Sequence, residues 1–202
     1  MTRNLKGQTI LIATHNKGKL EEFRELLAPH GVVLKSSSDL RLAQPNETEN
    51  SFRGNAHIKA LAASKASGLI TISDDSGLCV DALKGAPGVY TADWAGPQRD
   101  WILAMRMVES KLAAAGANSP SKRKAQFTCT LCVMWPDGDE RYYEGVTEGQ
   151  MVWPPRGALG HGYDPTFMPD GSTETFGEMS HAVKNRISHR AQALEKLLAD
   201  LF

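Results

Sequence analysis

Short apolar runs alternate with helical patterns in the first half of the chain, and this alternation most limits the possible folds. Gln8–Thr14 is an apolar run rich in β-branched residues, which predicts a buried strand. Lys17–Ala28 follows with apolar residues at helical spacing, and Asn16 stands where a helix cap is expected. The same elements recur when the helical pattern Ser51–Ser67 leads into the apolar run Leu69–Ser73. Strands that alternate with helices are typical of an α/β fold.

The second half of the chain adds a hairpin and two further helices. Asp137-Gly138 lies between the strand patterns Phe127–Trp135 and Glu140–Val146, which favours a tight hairpin. Asp100–Ala115 and Ile187–Leu201 predict amphipathic helices. The whole pattern predicts one α/β domain with a mixed central sheet flanked by helices.

The charges of the chain balance, since 23 basic residues meet 23 acidic ones and the formal net charge is zero. A neutral chain without a basic stripe does not fit a nucleic-acid-binding protein, and any anion site must be local. No apolar stretch is long enough to cross a bilayer, and no signal-peptide pattern is present. We therefore expect a cytoplasmic protein with no nucleic-acid or membrane partner.

Cys129 and Cys132 form a CxxC pair, a pattern found in metal and redox sites. Both lie in a predicted strand, Ala125–Pro136, where residues three apart point to opposite faces. That geometry favours two small buried residues over a shared site.

The loop Thr14–Lys19 joins the first predicted strand to the first predicted helix. Free N–H groups at a helix start, together with two lysines and a glycine, suit a phosphate chain. The loop is not a Walker A loop, because GxxxxGK[ST] occurs nowhere in the chain. A capped helix start with solvated lysines explains the loop equally well. The candidate residues are Thr14, His15, Asn16, Lys17, Gly18 and Lys19.

Asp74-Asp75-Ser76-Gly77 follows an apolar strand pattern, so two carboxylates are expected at a strand end. Ligands of α/β proteins collect at the carboxyl ends of strands. Adjacent carboxylates repel each other unless a cation or a shared proton relieves them. Mg²⁺ takes one or two carboxylates together with substrate phosphates, which predicts a magnesium site here. The alternative is an acidic turn, because these residue types also favour turns.

Two weaker candidates lie between these motifs. Glu47 and Glu49 are in a polar loop, where either can add a carboxylate or remain solvated, and for Glu49 we favour the solvated state. Lys59 lies on a predicted helix, where a lone lysine is normally a surface charge.

Two later segments also carry groups suited to a nucleotide. The loop Gly160–Pro165 can bring backbone and rings against a flat ligand, or it can be a tight turn with Tyr163 packed inward. Ser188-His189-Arg190 offers donors at a helix start, with Lys184 just upstream, or Ser188 is simply the cap of that helix.

Together these segments resemble the inosine triphosphate pyrophosphatase family, which hydrolyses non-canonical purine nucleoside triphosphates. The resemblance covers nearly the whole chain in one order, and the ordered set is far more specific than any single block. The blocks are THNKGK at 14–19, SFRGNA at 51–56, SDDSGL at 73–78, GAPGVY at 85–90, GYDP at 162–165, and Lys184 with ISHR at 187–190.

The resemblance implies cleavage of ITP, dITP or XTP to the monophosphate and pyrophosphate, with Mg²⁺ as cofactor. It assigns the triphosphate to Thr14–Lys19, with Lys59 as a catalytic cation and Ser76 in contact with the substrate. Asp75 would be the general base. The magnesium ligands would be Glu47 and Asp75, with Asp74 close by. The residues assigned to the base and its sugar-phosphate are His161, Gly162, Tyr163, Asp164, Lys184, His189 and Arg190.

The implied family fold is elongated, with two lobes around a central substrate cleft, and it is usually a homodimer. Three residues depart from the family pattern. His161 stands where bacterial relatives usually have Phe, Gly54 replaces a common Glu, and Asp93 replaces a frequent Arg, so we assign Asp93 no phosphate role.

Two other functions compete with this prediction. A nucleotide phosphatase would release orthophosphate, whereas a pyrophosphatase yields pyrophosphate and the monophosphate directly. A non-catalytic nucleotide-binding module would not need a metal-activated water, so Lys19 together with Asp74 and Asp75 argues against it.

Overall fold

The computed structural model describes residues 3–202, and within them six strands form one sheet. The strands are β1 (Thr9–Ala13), β2 (Val33–Ser36), β3 (Ile70–Val80), β4 (Lys124–Met134), β5 (Glu140–Met151) and β6 (Phe167–Pro169). The helices are α1 (Lys17–Leu27), α2 (Phe52–Ser67), α3 (Trp101–Ala114), α4 (His181–Ile187) and α5 (His189–Leu201). The strand order is β2-β1-β3-β4-β5-β6. β1 pairs in parallel with β2 and β3, whereas β5 and β6 are antiparallel, so the predicted mixed-sheet α/β class is confirmed.

The chain divides into two compact units. Unit 1 contains the described part of Met1–Asp75 together with Cys129–Gly145 and Arg190–Phe202. Unit 2 contains Ser76–Thr128 and Val146–His189. Three strands, β3, β4 and β5, begin in one unit and end in the other, and each unit has its own hydrophobic core.

In unit 1 the strands bury side chains on both faces of the sheet. Ile10 of β1 and Ile72 of β3 belong to a cluster with apolar residues of α1 and α5. Leu11, the next residue of β1, instead packs with Ala63 of α2. Successive residues of a strand point to opposite faces, so each residue of β3 in this unit faces either α1 and α5 or α2.

In unit 2 the core is built around aromatic rings. Phe127 of β4 meets Phe167 of β6 edge to face, with ring centroids 4.7 Å apart, and Phe176 packs against both. The pairing of Met151 with Phe167 attaches β6 to the end of β5. Helix α3 closes this core with residues such as Val108.

β3 is longer than the sequence pattern indicates. The sequence pattern predicts a strand that ends at Ser73 and releases Asp74 and the residues after it from the sheet. The strand instead continues to Val80, so both the strand-end prediction and the alternative of an acidic turn are wrong. The pairing with β1 does stop at Ala13 and Ser73, because β1 ends there. Asp74 therefore lies just beyond the carboxyl end of β1 while it remains inside β3.

The helical segment near the C-terminus also differs from the prediction. The pattern Ile187–Leu201 predicted one helix, whereas α4 precedes it and α5 begins at His189. Ser188 ends α4 by donating its N–H to the Lys184 carbonyl at 2.9 Å. In α4 only Lys184 is buried, so the sequence offers no apolar stripe that would reveal the helix. Within residues 3–202, no helix has the length and apolar character needed to span a membrane.

The predicted hairpin and the two buried cysteines are confirmed. Trp135 donates its N–H to the Asp139 carbonyl at 2.9 Å, and Gly138 turns the chain with a φ of 91°. Within residues 3–202, Cys129 and Cys132 form no disulfide and lie in separate core clusters, as expected for strand residues on opposite faces.

We predict that Ile72→Ala lowers the free energy of unfolding by about 2–5 kcal/mol, because it leaves a cavity between β3 and its helices. Ile72 is fully buried, whereas Ile102 on α3 is 59% exposed and provides a matched control. Urea unfolding of both variants measures the difference. Equal losses in the two variants would contradict the proposed packing of unit 1.

Candidate active site

The loop Thr14–Lys19 forms a capped helix start. Asn16 accepts the Lys19 N–H through its side-chain oxygen at 3.2 Å, and the Thr14 hydroxyl accepts the Asn16 N–H at 3.1 Å. His15 Nε2 lies 2.9 Å from the Leu42 carbonyl oxygen, so that nitrogen donates. These bonds hold the loop in place at the start of α1, and a helix start suits an anion.

Asp74 is fully buried and surrounded by cations in unit 1. Its Oδ1 accepts from the Lys19 ammonium, and its Oδ2 accepts from Arg190 Nε at 2.9 Å. The thiol of Cys129 on β4 also lies 3.0 Å from Oδ2. Arg190 in turn pairs with Glu22, which is buried on α1.

The charges around Asp74 compensate one another. Burial alone would raise the pKa of Asp74, but the Arg190 and Lys19 cations outweigh it and hold this pKa well below its usual range. Burial would likewise lower the pKa of Arg190, yet Asp74 and Glu22 raise it. Two acids thus face two bases, which is the condition under which buried charges are tolerated.

Asp75 points to the other face of β3, toward α2. Its Oδ1 accepts from the Lys59 ammonium at 2.7 Å, and the same ammonium lies 3.3 Å from Glu47 Oε1. Burial is the largest influence and raises the pKa of Asp75 to about 6, against the lowering effect of Lys59 and Lys19. For Lys59 the balance reverses: burial would lower its pKa, but Asp75 and Glu47 raise it.

The three predicted magnesium ligands therefore do not form one cluster. Within residues 3–202, no group of three or more His, Cys, Asp or Glu side chains is arranged to hold a metal ion. Both oxygens of Asp74 accept from cations, whereas Asp75 and Glu47 share Lys59. Asp75 Oδ2 is buried, and no atom of residues 3–202 forms a hydrogen bond with it. Asp75 and Glu47 fit a metal that takes one or two carboxylates plus substrate oxygens, and Asp74 does not.

In unit 2 the glycine-rich loop is organised by Asp164. Its Oδ2 accepts the His161 N–H at 2.8 Å and the Lys184 ammonium at 2.7 Å. A Cβ at Gly160 would lie 2.1 Å from this oxygen, so the approach requires glycine. Gly162 also has a positive φ, 69°. The loop thus brings predicted residues together around one buried carboxylate.

The ring of Tyr163 is not available for stacking on a ligand. It is 1% exposed, packs edge to face with Trp101, and donates its hydroxyl to the Thr91 carbonyl at 3.1 Å. The alternative of a tight turn with Tyr163 packed inward is the arrangement observed.

The segment Ser188-His189-Arg190 has its side chains in different surroundings. His189 is buried in unit 2, where its ring stacks on Phe127 at 4.9 Å with an angle of 13° between the planes. Arg190 belongs to unit 1 and directs Nε and Nη1 to Asp74 and Glu22. The guanidinium predicted to read the base is therefore used to compensate buried acids.

Glu22 and Cys129 contact this site but were not among the predicted residues. Glu22 lies three residues after Lys19, so both side chains are on one side of α1. An acid beside Phe23 on the buried face of an amphipathic helix was the available signal. The CxxC pattern singles out Cys129, but it does not indicate a contact with Asp74.

Comparison with known proteins decides the family. A family model described as the Ham1 family matches residues 10–200. The chain belongs to the Ham1 family. This result confirms the family suggested by the ordered motifs.

Several Ham1 relatives match along nearly their whole length. A dITP/XTP pyrophosphatase of Ruegeria pomeroyi is 54% identical, over 100% of this chain and 99% of the relative. One from Bradyrhizobium diazoefficiens is 52% identical, over 98% and 96%. A solved HAM1 structure from Coxiella burnetii has a TM-score of 0.87 at 36% identity, over 95% of this chain and 97% of that one. The Staphylococcus aureus Ham1 structure has a TM-score of 0.82 at 32% identity, with the same coverage.

We predict that Asp74→Asn lowers the free energy of unfolding of this Ham1 protein by about 3–5 kcal/mol, because it removes one acid from a buried charge cluster. Urea unfolding at neutral pH measures the loss. Asp170→Asn, at an exposed position, is the matched control and should leave the midpoint unchanged. If both variants unfold at the wild-type midpoint, the charge cluster does not stabilise unit 1.

Proposed function

We propose that this Ham1-family chain hydrolyses non-canonical purine nucleoside triphosphates to the monophosphate and pyrophosphate. The relatives described above are named for dITP and XTP, and we include ITP because it carries the same base as dITP. The observation that supports catalysis best is Asp75, whose Oδ1 is held by Lys59 while its Oδ2 lacks a hydrogen-bond partner within residues 3–202. A buried acceptor without a donor is costly unless a ligand supplies one.

Cations of unit 1 offset the charge of the triphosphate. Its phosphates would bind at the Thr14–Lys19 helix start, where backbone N–H groups and Lys19 favour anions. Lys59 adds a positive charge beside Asp75 and would stabilise the charge that develops on the departing pyrophosphate.

Glu47 and Asp75 would hold Mg²⁺, the predicted cofactor. When bound, Mg²⁺ neutralises phosphate charge and polarises the phosphoryl oxygens. A site with two carboxylates leaves the remaining positions to water and substrate, as Mg²⁺ prefers. Asp74 supports this site indirectly, since it orients Lys19 and fixes β3 next to Asp75.

Asp75 would act as the general base. Its carboxylate takes one proton from a water molecule, and the water oxygen forms a bond to the α-phosphorus. The bond from that phosphorus to the bridging oxygen breaks, and pyrophosphate leaves with the electron pair. Lys59 keeps Asp75 in one rotamer throughout, because its ammonium is bonded to Oδ1.

Residues of unit 2 would recognise the base. The Lys184 ammonium and the His161 N–H both donate to Asp164 Oδ2 and form one hydrogen-bonded polar group with it. Such groups discriminate between bases because a mismatched base leaves buried donors or acceptors unpaired. We assign this task to Lys184 and Asp164, with His189, which is also buried in unit 2, as a further candidate. Arg190 is a weaker candidate because of its bonds to Asp74 and Glu22.

Two further features of the prediction belong to this proposal. We propose a homodimer and a cytoplasmic location, and light scattering tests the first.

We predict that the wild-type chain with Mg²⁺ and XTP releases pyrophosphate and not orthophosphate, and that Asp75→Asn lowers kcat by about 10²- to 10⁴-fold through loss of the base. An assay that separates the two products, run with ITP, dITP, XTP, ATP and GTP, provides both measurements. Asp170→Asn should keep full activity. Release of orthophosphate would favour the nucleotide phosphatase, and an Asp75→Asn variant with near-normal kcat would exclude Asp75 as the base.

We predict that Lys184→Met narrows the preference for XTP over GTP by about tenfold, because it removes a cation from the Asp164 group that would read the base. The ratio of kcat/KM for the two substrates measures this. Lys122→Met alters an exposed lysine of unit 2 and should leave the ratio unchanged. An unchanged ratio in Lys184→Met would place base recognition elsewhere.

A further inference from the structure

The segment that carries Glu47 has no regular secondary structure. Residues 43–49 lie between β2 and α2, and most of them are exposed. Glu47 nevertheless holds its carboxylate 3.3 Å from Lys59 Nζ. A segment with so little burial must be held by specific contacts, since ordering each of its residues costs conformational entropy.

Asn55 supplies the first of these contacts. It lies in the first turn of α2, is only 2% exposed, and accepts the Glu49 N–H at 3.0 Å through its side-chain oxygen. The bond reaches back across the helix start and closes a loop over 49–55. Ser51 stabilises the start of α2 as its N-cap, because its hydroxyl accepts the Gly54 N–H at 3.1 Å.

Gly54 helps to hold the segment in a second way, because the absence of a side chain leaves room for Glu49. A Cβ at this position would lie 2.6 Å from both Cβ and Cγ of Glu49, and 3.1 Å from the Ser51 hydroxyl. Those Glu49 atoms are close to the backbone, so they cannot move away without the segment. Gly54 lies inside a helix, where alanine is normally preferred, and its φ is not in the left-handed region. Close approach of Glu49 is therefore the reason for a glycine here.

We propose that Gly54 and Asn55 are positioning residues that place Glu47 at the metal and phosphate site of unit 1. The Asn55 side chain anchors the segment by accepting the backbone N–H of Glu49, and Gly54 leaves the space in which Glu49 lies. Together they keep Glu47 beside Lys59 before any ligand binds, so metal binding does not have to order the segment. This inference rests on the proposed function, because it takes Glu47 as a ligand of the divalent ion.

Hydrogen exchange tests the anchor without metal or substrate. The Glu49 amide should exchange slowly in the wild type and become fast in Asn55→Leu, which keeps the size but removes the acceptor. Asn55→Asp retains an acceptor oxygen and should preserve the slow exchange. A wild-type Glu49 amide that exchanges as fast as the one in Asn55→Leu would overturn the anchor.

Binding of Mn²⁺ alone, followed by the resonance of the free ion in the absence of nucleotide, tests the consequence for Glu47. We expect Gly54→Ala and Asn55→Leu each to raise the Kd for Mn²⁺ by about tenfold, the size typical of lost supporting contacts around a metal ligand. Gly54→Ala should do so without a lower melting temperature, because alanine favours the helix. Wild-type affinity in both variants would overturn the proposal.

Two controls separate positioning from helix stability. Ala66→Gly weakens α2 at an exposed position distant from Glu49 and should leave the Kd unchanged. In the Glu49→Gly background the clashing atoms are gone, so adding Gly54→Ala should cause no further rise in Kd. A further rise would overturn the steric part of the proposal. A wild type that releases pyrophosphate from XTP but does not bind Mn²⁺ alone would overturn this inference and leave the proposed activity standing.

Discussion

The opposite directions of Asp74 and Asp75 on β3 determine how the rest of unit 1 is arranged. Neighbouring residues of a strand face opposite sides of the sheet, so two adjacent acids need two separate sets of partners. Asp74 shares its side with Ile72 and faces α1 and α5, which provide Lys19 and Arg190. Asp75 faces α2, which provides Lys59. Repulsion between the two acids is thereby relieved without a shared proton.

Hydrogen-bond partners explain why the two carboxylates differ in what they can do. On the side of Asp74 both oxygens accept from cations, and Arg190 is itself paired with Glu22. On the side of Asp75 one oxygen is bonded to Lys59 and the other has no partner within residues 3–202. A buried carboxylate with both oxygens bonded stabilises the fold, whereas one with an unbonded oxygen is available to a ligand. Glu47 forms an ion pair with the same Lys59 ammonium that binds Asp75.

The fold class could be predicted from the sequence, because the strands and helices of unit 1 have clear periodicities. The sequence also named Lys19, Lys59, Asp74 and Asp75, which the structure joins in ion pairs. The length of β3 could not be predicted, since a run of Asp, Asp, Ser and Gly resembles a turn unless the pairing strands are known. The surroundings of Arg190 and Tyr163 could not be predicted either. An arginine suits a buried ion pair as well as a ligand, and a tyrosine suits a core as well as a stacked base. The same holds for Gly54, because only the position of Glu49 gives a reason for a glycine inside α2. Helix α4 could not be predicted either, because it buries only Lys184 and has no apolar stripe.

The division between Asp74 and Asp75 is tested most directly by two double-mutant cycles on the free energy of unfolding. One cycle combines Arg190→Lys with Asp74→Asn, and the other combines Arg190→Lys with Asp75→Asn. We predict a coupling energy of about 1–3 kcal/mol for the first pair, which is in contact, and one close to zero for the second. Equal coupling in the two cycles would contradict the assignment of the two carboxylates to separate faces of β3.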